Sequence, residues 1–303
     1  MRYYYFNPFR KQYYFPEDFQ KYPLFNSFYK PYKLIARILW FIWQNFPICR
    51  LLCTTIHPEN YLPLNQIKPY VPPGSVLAFN LGSDGVENKI TVLGINPLTN
   101  ETFFIKYAFN KVPCLNVFNE GIVLEQLSQL NFVPVIKLKA KVDNEFALII
   151  TSVLSGEKIK NQSINSQILD ILYILSEQTV KSDRNYTSEL VTCFAHGDFC
   201  PWNLLTYEGN IKVFDWELAG NYHLGYDLFT YIFQYEFLIN EKMRFEFILN
   251  ENSDSIQQYF NHFNIDNWMI YLHEFAKLKY EFESEKKDKE LMEYYFKLMQ
   301  FAV

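Results

Sequence analysis

Two aspartates and an asparagine, Asp198, Asn203 and Asp215, stand at fixed spacing within FAHGDFCPWNLLTYEGNIKVFDWELAG, Phe194 to Gly220. Between Asn203 and Asp215 lie two short apolar runs with β-branched residues, Leu204 to Thr206 and Ile211 to Phe214, separated by Tyr207-Glu208-Gly209-Asn210. Gly209 and Asn210 supply turn chemistry, so the pattern predicts a β-hairpin. A hairpin folds its ends together, which would bring Asp198 and Asn203 to Asp215. Carboxylate and carboxamide oxygens are hard ligands suited to Mg²⁺, and a further carboxylate can orient an acceptor hydroxyl and take its proton. The chemistry that such a set serves is phosphoryl transfer.

HGDFCPWN, residues 196 to 203, resembles the catalytic loop of the aminoglycoside phosphotransferase and choline kinase family. It is also similar to the protein-kinase H-R-D-x-x-x-x-N loop, with Gly197 in place of the arginine. FDWELAG resembles the family's metal-binding I-D-W segment. The resemblance implies Asp198 as catalytic base, His196 as the residue that braces the catalytic loop, and Asn203 and Asp215 as Mg²⁺ ligands. An unrelated acidic loop beside a hairpin would account for one of these features; the compound pattern argues against it. A degenerate relative that binds nucleotide without turnover is a rival of another class, and no essential residue is missing to support it.

The elements that must position these residues begin at Val76, where the pattern changes to strands. Val76 to Leu81 and Ile90 to Ile95 flank a loop containing Gly82, Ser83, Gly85 and Asn88, and Thr102 to Tyr107 follows. Glycines in such a loop let backbone N–H groups approach phosphate oxygens; on its own, two glycines in a hairpin more often just make a turn. Gly85 to Lys89 resembles the family's G-x-x-N-[RK] loop. FFIKYA, residues 103 to 108, resembles the third-strand lysine motif and implies Lys106 on the α- and β-phosphates. Its expected partner is Glu120, in a stretch that matches E-x-x-x-L-x-x-L through Leu124 and Leu127; Glu125 is the alternative. Val135 to Leu138 and Phe146 to Val153 complete five strands. IITSVLSG, residues 149 to 156, resembles the family's hinge, where backbone groups near Ser152 and Val153 would bond adenine. Downstream, Ile164 to Val180, Phe229 to Leu249, Ile256 to Phe263, Trp268 to Glu283 and Lys289 to Phe301 read as helices. Asp227, in GYDLFTYI, resembles the family's Y-D-L and would brace the metal loop.

Residues 1 to 75 depart from a minimal kinase-like domain. They carry nine basic residues against Glu17, Asp18 and Glu59, a balance of +6 in a chain of net charge −5. Tyr32 to Cys53 reads as a helix interrupted near Pro47, with Leu34, Ile35, Ile38, Leu39, Phe41, Ile42 and Phe46 as an apolar band and Lys33 and Arg37 one turn apart. The uncharged run is short of the roughly 20 residues that a membrane span needs. Two readings stand: Trp40, Phe41 and Trp43 give the helix interfacial character, or Leu34, Ile38, Phe41 and Ile42 pack on the first lobe. Cys49, Cys53 and His57 have helical spacing but no fourth ligand, a weak zinc signal. Pro63, Pro69, Pro72, Pro73 and Gly74 mark a linker.

At 303 residues, 49% hydrophobic and 20% charged, the composition is that of a soluble globular protein with room for two lobes. Five cysteines and no secretory signal point to reduced thiols and a cytoplasmic setting, either free or at the inner face of the membrane. The fold class expected is α+β: a bilobal protein-kinase-like fold with a five-stranded antiparallel N-lobe, a mainly helical C-lobe and an N-terminal helical extension. The domains expected are 1–75, 76–153 and 154–303. The resemblance implies ATP or GTP with Mg²⁺ in the cleft and transfer of the γ-phosphate to a hydroxyl of a small molecule or glycan. A sugar of cell-envelope polysaccharide synthesis is preferred over an aminoglycoside or choline-type amino alcohol; Glu217, Glu236, Glu241 and Glu246 either supply acidic contacts to such a cation or are solvated helix faces. Nucleic acid is not an expected partner; a membrane-surface adaptor working through residues 1–60 is the third class.

Overall fold

The computed structural model describes residues 3–5, 12–29, 34–46, 55–56, 62–82, 88–142, 145–159, 163–186, 189–240 and 244–303. By packing, the chain divides into two units: Met1–Gly121 with Val135–Val153, and Ile122–Pro134 with Leu154–Val303.

The first unit is built on one antiparallel sheet. Its strands are β1 (Tyr3–Tyr5), β2 (Tyr13–Pro16), β3 (Thr55–Ile56), β4 (Val76–Asn80), β5 (Ile90–Ile95), β6 (Thr102–Ala108), β7 (Ile136–Val142) and β8 (Phe146–Thr151). They lie in the order β3-β1-β2-β4-β5-β6-β8-β7. The five strands expected from the sequence are β4 to β8. The other three come from the N-terminal segment, so the expectations of five strands and of a purely helical extension are both corrected. The reason is visible in β2, where Tyr14 and Phe15 point to opposite faces and both are buried. Such a strand shows no polar alternation.

Each face of this sheet has its own cover. On one, Leu64 and Ile67 of α2 (Leu62–Ile67) join Leu77, Phe79, Val92, Phe103, Ile105, Tyr107, Leu148 and Ile150. The proline-marked linker is therefore a packed helix, with Pro63 in its first turn, where no helical partner is lost. On the opposite face, Trp40 and Trp43 of α1 (Leu34–Asn45) pack with Phe15, Phe19, Phe25, Val76, Ala78 and Leu93. The two indoles stack at 5.2 Å, and Trp43 stacks on Phe19 at 4.8 Å. The helix does pack on the first unit, but through other residues than the sequence suggested. The tryptophans are core, while Leu34, Ile38, Phe41 and Ile42, which were expected to pack, are exposed along with Ile35, Leu39 and Phe46, at 36% to 73%. Cys49, Cys53 and His57 lie outside the described residues. Helix α3 (Lys111–Gln126) sets Cys114 and Val117 against Ala108, Ala147 and Ile149.

The second unit is mainly helical. Helix α4 (Ser166–Ser176) is capped by Asn165, whose side chain accepts from the Ile168 N–H. A three-stranded sheet follows the order β12-β11-β9, from β9 (Glu157–Lys158), β11 (Leu204–Tyr207) and β12 (Asn210–Val213), and β10 (Thr192–Ala195) pairs with β13 (Gly220–His223). The expected hairpin is β11–β12. Its register leaves Glu208 and Gly209 as the turn, at φ 50° and 78°, the two positive values that a type I′ turn requires. The segment 122–134 completes this unit: the Val213 N–H donates to the Phe132 carbonyl at 2.7 Å, and Gln126 exchanges two hydrogen bonds with the Lys181 backbone. The expected helix over Phe229 to Leu249 starts earlier, as α5 (Tyr226–Phe229), and continues as π-helical turns over Thr230–Gln234 and Glu236–Asn240. Then come α6 (Phe245–His262), α7 (Met269–Lys286) and α8 (Lys289–Phe301). Among the described residues, no helix is long and apolar enough to cross a membrane.

Candidate active site

In the first unit the sheet places a lysine where water is excluded. Lys106 has the same parity on β6 as Phe104 and Ala108, so it points to the face that α3 covers. There its Nζ meets Glu120 Oε2 at 2.6 Å, with both side chains buried. Glu125 is exposed. Leu124 and Leu127 bury on the same helical stretch, so the helical spacing read from the sequence sets Glu120 inward. A buried ion pair of this kind costs several kcal/mol to desolvate; it fixes an ammonium's position more than it stabilises the fold.

The glycine loop is described at its base. Gly82 has φ +73°, its N–H donates to Asn80 Oδ1 at 3.0 Å, and a Cβ there would stand 2.3 Å from Asn88 Oδ1. Gly82 and Asn88 are thus in contact across the loop, while Ser83 and Gly85 lie outside the described residues. At the hinge, the Ser152 N–H donates to the Val135 carbonyl at 2.8 Å, and Ser152 Oγ accepts from the Val135 N–H at 3.0 Å. The Ser152 N–H is thus engaged at the sheet edge. Its carbonyl and the backbone of half-buried Val153 are what remain.

In the second unit the loop 196–203 is suspended from Asp227 on α5. Asp227 Oδ2 accepts from the His196 N–H at 2.6 Å and Oδ1 from the Gly197 N–H at 3.0 Å. Burial pushes the Asp227 carboxyl up to about 7, against the lowering effect of those two bonds and of Lys279. Gly197 holds φ +84°, and a Cβ there would lie 2.1 Å from the Leu218 carbonyl oxygen. Glycine stands in the kinase arginine's position because backbone passes against backbone. His196 is fully buried; its Nε2 donates to the Phe214 carbonyl at 3.1 Å, which leaves Nδ1 to accept the Asp198 N–H at 3.3 Å. One ring nitrogen donates across to Phe214 and the other accepts within the loop, the pattern of a neutral, bracing imidazole.

The Asp198 carboxylate is held from both ends. Asn203 Nδ2 donates to Oδ2 and to the Asp198 carbonyl, each at 2.9 Å; Gln234 Nε2 donates to Oδ1 at 3.3 Å, and the Cys200 thiol donates to the same Oδ1 at 3.4 Å. Burial and the adjacent Asp198 raise the Cys200 thiol well above its usual range, so Cys200 is a donor and no nucleophile. With its amide nitrogen committed, Asn203 has Oδ1 as the atom that could face a cation. The Phe214 N–H donates to the Asn203 carbonyl at 3.1 Å, which ties the two ends of the hairpin together.

Asp215 follows β12 with φ 70° and ψ 60°, a left-handed conformation uncommon outside glycine, and starts the 3-10 turn Trp216–Leu218. Its carboxylate and that of Glu217 offer oxygens within 4.8 Å of each other. Paired carboxylates and a carboxamide oxygen are a donor set that suits a hard divalent cation. The sequence left Glu217 open between an acidic contact for a cationic acceptor and a solvated side chain; its place beside Asp215 depends on the left-handed backbone of Asp215, which the sequence pattern does not show. Of the other acids in that reading, Glu236 is buried, Glu246 is exposed on α6 and Glu241 lies outside the described residues. Gln234 and Lys279 were missed altogether, although Leu272, Phe275, Ala276 and Lys279 share one helical stripe on α7, where a lysine is out of place.

Residues 167–245 match the phosphotransferase enzyme family APH. With the fold, that match defines the class: the protein is a phosphotransferase, an enzyme that passes phosphoryl groups to an alcohol acceptor, as the resemblance in HGDFCPWN implied. The fold itself is that of small-molecule kinases. It is similar to the amicoumacin kinase hAmiN in complex with AMP-PNP, Ca²⁺ and Ami (TM-score 0.55, 13% identity, 81% of this chain and 96% of that one). It is similar also to a thermostable mutant of the aminoglycoside phosphotransferase APH(4)-Ia in a ternary complex with ADP and hygromycin B (0.54, 9%, 81% and 98%). A third likeness is to an ethanolamine kinase of Plasmodium vivax (0.51, 12%, 80% and 86%). Compared by sequence with curated proteins, the chain matches none.

Proposed function

We propose that this phosphotransferase moves the γ-phosphate of ATP, with Mg²⁺, to a hydroxyl of a small sugar or glycan, and that the acceptor belongs to cell-envelope polysaccharide synthesis. The observation that carries the phosphotransfer reading is the tethering of the Asp198 carboxylate by Asn203, on a loop hung by two backbone bonds from Asp227. In this reading Asp198 orients the acceptor hydroxyl and takes its proton, while Lys106, fixed by Glu120, and the loop at Gly82, Ser83, Gly85 and Asn88 hold phosphate oxygens. Ser152 and Val153 border the base through backbone groups. Asn203 Oδ1 and the carboxylates of Asp215 and Glu217 would hold Mg²⁺, which when bound supplies charge neutralisation to the triphosphate. Magnesium, and ATP rather than GTP, are part of the proposal.

The acceptor preference rests on the acids. A cationic acceptor such as an aminoglycoside or amino alcohol calls for several exposed carboxylates, whereas Glu236 is buried and Glu217 sits beside Asp215, which leaves Glu246 as the exposed one among the described acids of that set. A panel of sugars, aminoglycosides and amino alcohols, assayed for phosphate transfer from ATP with Asp198→Asn as control, decides. Transfer to aminoglycosides or choline alone would replace the sugar reading, and ATP binding without turnover on any acceptor would favour a pseudokinase.

A second reading concerns α1. Its exposed side is apolar over roughly 160° of the helix at ~100° per residue, in a segment of +6. We propose that this stripe lies on an anionic bilayer at the inner face of the membrane, where basic residues such as Arg37 add about 1 kcal/mol each. At ~1.5 Å per residue α1 is ~18 Å long, too short to span. Flotation with anionic liposomes at low salt, lost in Leu34→Glu/Ile38→Glu, is the expected result; equal flotation of both proteins rejects it.

A further inference from the structure

Lys279 is a charge in the wrong place. On α7 it shares the buried stripe of Tyr271, Leu272, Phe275 and Ala276, and it is itself 6% exposed. An ammonium in such a stripe has a desolvation cost that an apolar residue avoids. Its Nζ lies 5.1 Å over the Tyr226 ring and 5.8 Å from the Phe275 ring centre, and its polar contact is a donation to Gln234 Oε1 at 3.3 Å.

That contact decides which way the Gln234 amide points. An ammonium has no lone pair and can only donate, so the amide oxygen must face Lys279 and the amide NH₂ must face the other way. What lies that way is Asp198 Oδ1, at 3.3 Å from Nε2, where the amide is joined by the weaker thiol donor of Cys200 at 3.4 Å. Asn203 Nδ2 holds the other carboxylate oxygen at 2.9 Å. With a donor on each oxygen the carboxylate cannot turn about its own axis. Gln234 is also the last residue of the π-helical turn Thr230–Gln234. Such widened turns are rare inside helices and concentrate at functional sites.

We infer that Lys279 and Gln234 are positioning residues: Lys279 sets the Gln234 amide, and the amide sets the plane of the Asp198 carboxylate toward the acceptor hydroxyl. This rests on the reading of Asp198 as the proton acceptor. General-base catalysis depends on the carboxylate lying within hydrogen-bond reach of the proton it takes, so a carboxylate free to rotate lowers turnover without touching the nucleotide.

The test compares Gln234→Glu, Gln234→Leu, Lys279→Met and the double variant Gln234→Leu/Lys279→Met with wild type and Asp198→Asn. Turnover is followed as ADP formed from ATP and Mg²⁺, with water as acceptor and with the acceptor that the panel identifies; ATP affinity is measured by calorimetry and folding by thermal midpoint. Gln234→Glu keeps the shape and the bond to Lys279 but presents an oxygen to Asp198. It is expected to lose about 10- to 100-fold in kcat, with ATP affinity within about twofold of wild type. Because both residues act along one path, the double variant should be no slower than the slower single. Wild-type kcat in Gln234→Glu overturns the inference, and so do losses that multiply in the double variant. Turnover retained by Asp198→Asn would instead remove the base assignment itself; turnover lost there but kept in the Gln234 and Lys279 variants would remove the relay alone.

Discussion

Asp215 occupies a backbone conformation that costs a non-glycine residue of order 1 kcal/mol or more, and it does so at the foot of the hairpin that carries Asn203. Asparagine tolerates the left-handed region as well as aspartate does. Asp215→Asn should therefore leave thermal stability close to wild type while weakening Mg²⁺-dependent nucleotide binding. Calorimetry with and without Mg²⁺ checks this; full metal dependence in the variant would move the ligand elsewhere. Asp227 gives a second test, through pH. Its folded pKa of about 7 lies above its ordinary 3.8, so the folded protein holds the extra proton between those values. This group's contribution to stability is then complete below about pH 4 and is lost as pH rises through 7, at up to about 1.4 kcal/mol per pH unit. Urea unfolding at pH 5 and pH 8 should show a larger loss for wild type than for Asp227→Asn. Parallel losses would mean that Asp227 is charged throughout, held so by Lys279 and its two N–H donors.

The loop 196–203 works as an element only if it can pass close to the turn after Asp215. Gly197→Ala places a methyl 2.1 Å from the Leu218 oxygen at φ +84°, so a loss of about 1 to 3 kcal/mol is expected, together with reduced turnover. Chemical denaturation measures it, and a variant as stable as wild type would mean that the loop can shift. What was legible in the sequence was local. The hairpin, the strand with Lys106 and the helix with Glu120 each follow from a periodicity and a turn within one short window. What was illegible depended on distance. The strand β2 has both faces buried by partners far along the chain, Trp40 and Trp43 face a core that only the sheet creates, and Gln234 meets Lys279 across forty-five positions. The π-helical turns read as plain helix because their apolar residues keep nearly the same spacing.

For the molecule as a whole, the N-terminal segment is part of the first unit's core. Removing residues 1–60 would strip β1 to β3 and α1 from the sheet, bare Val76, Ala78 and Leu93, and leave β4 as an open edge. The truncated protein is expected in the insoluble fraction on expression; a soluble product with an unchanged thermal midpoint would show that the segment is dispensable.

The bond from the Val213 N–H to the Phe132 carbonyl bears on how such a chain can be cut and inherited. Residues 167–245, by which a relative is recognised, lie in a unit that is finished by 122–134, a stretch encoded before the last two strands of the first sheet. A gene fragment opening at residue 154 would keep every residue of the recognisable segment and still lack the partner of Val213. Recombination could not trade this half as one contiguous cassette, because the two units are interleaved along the chain and each crossover point that spares one splits the other.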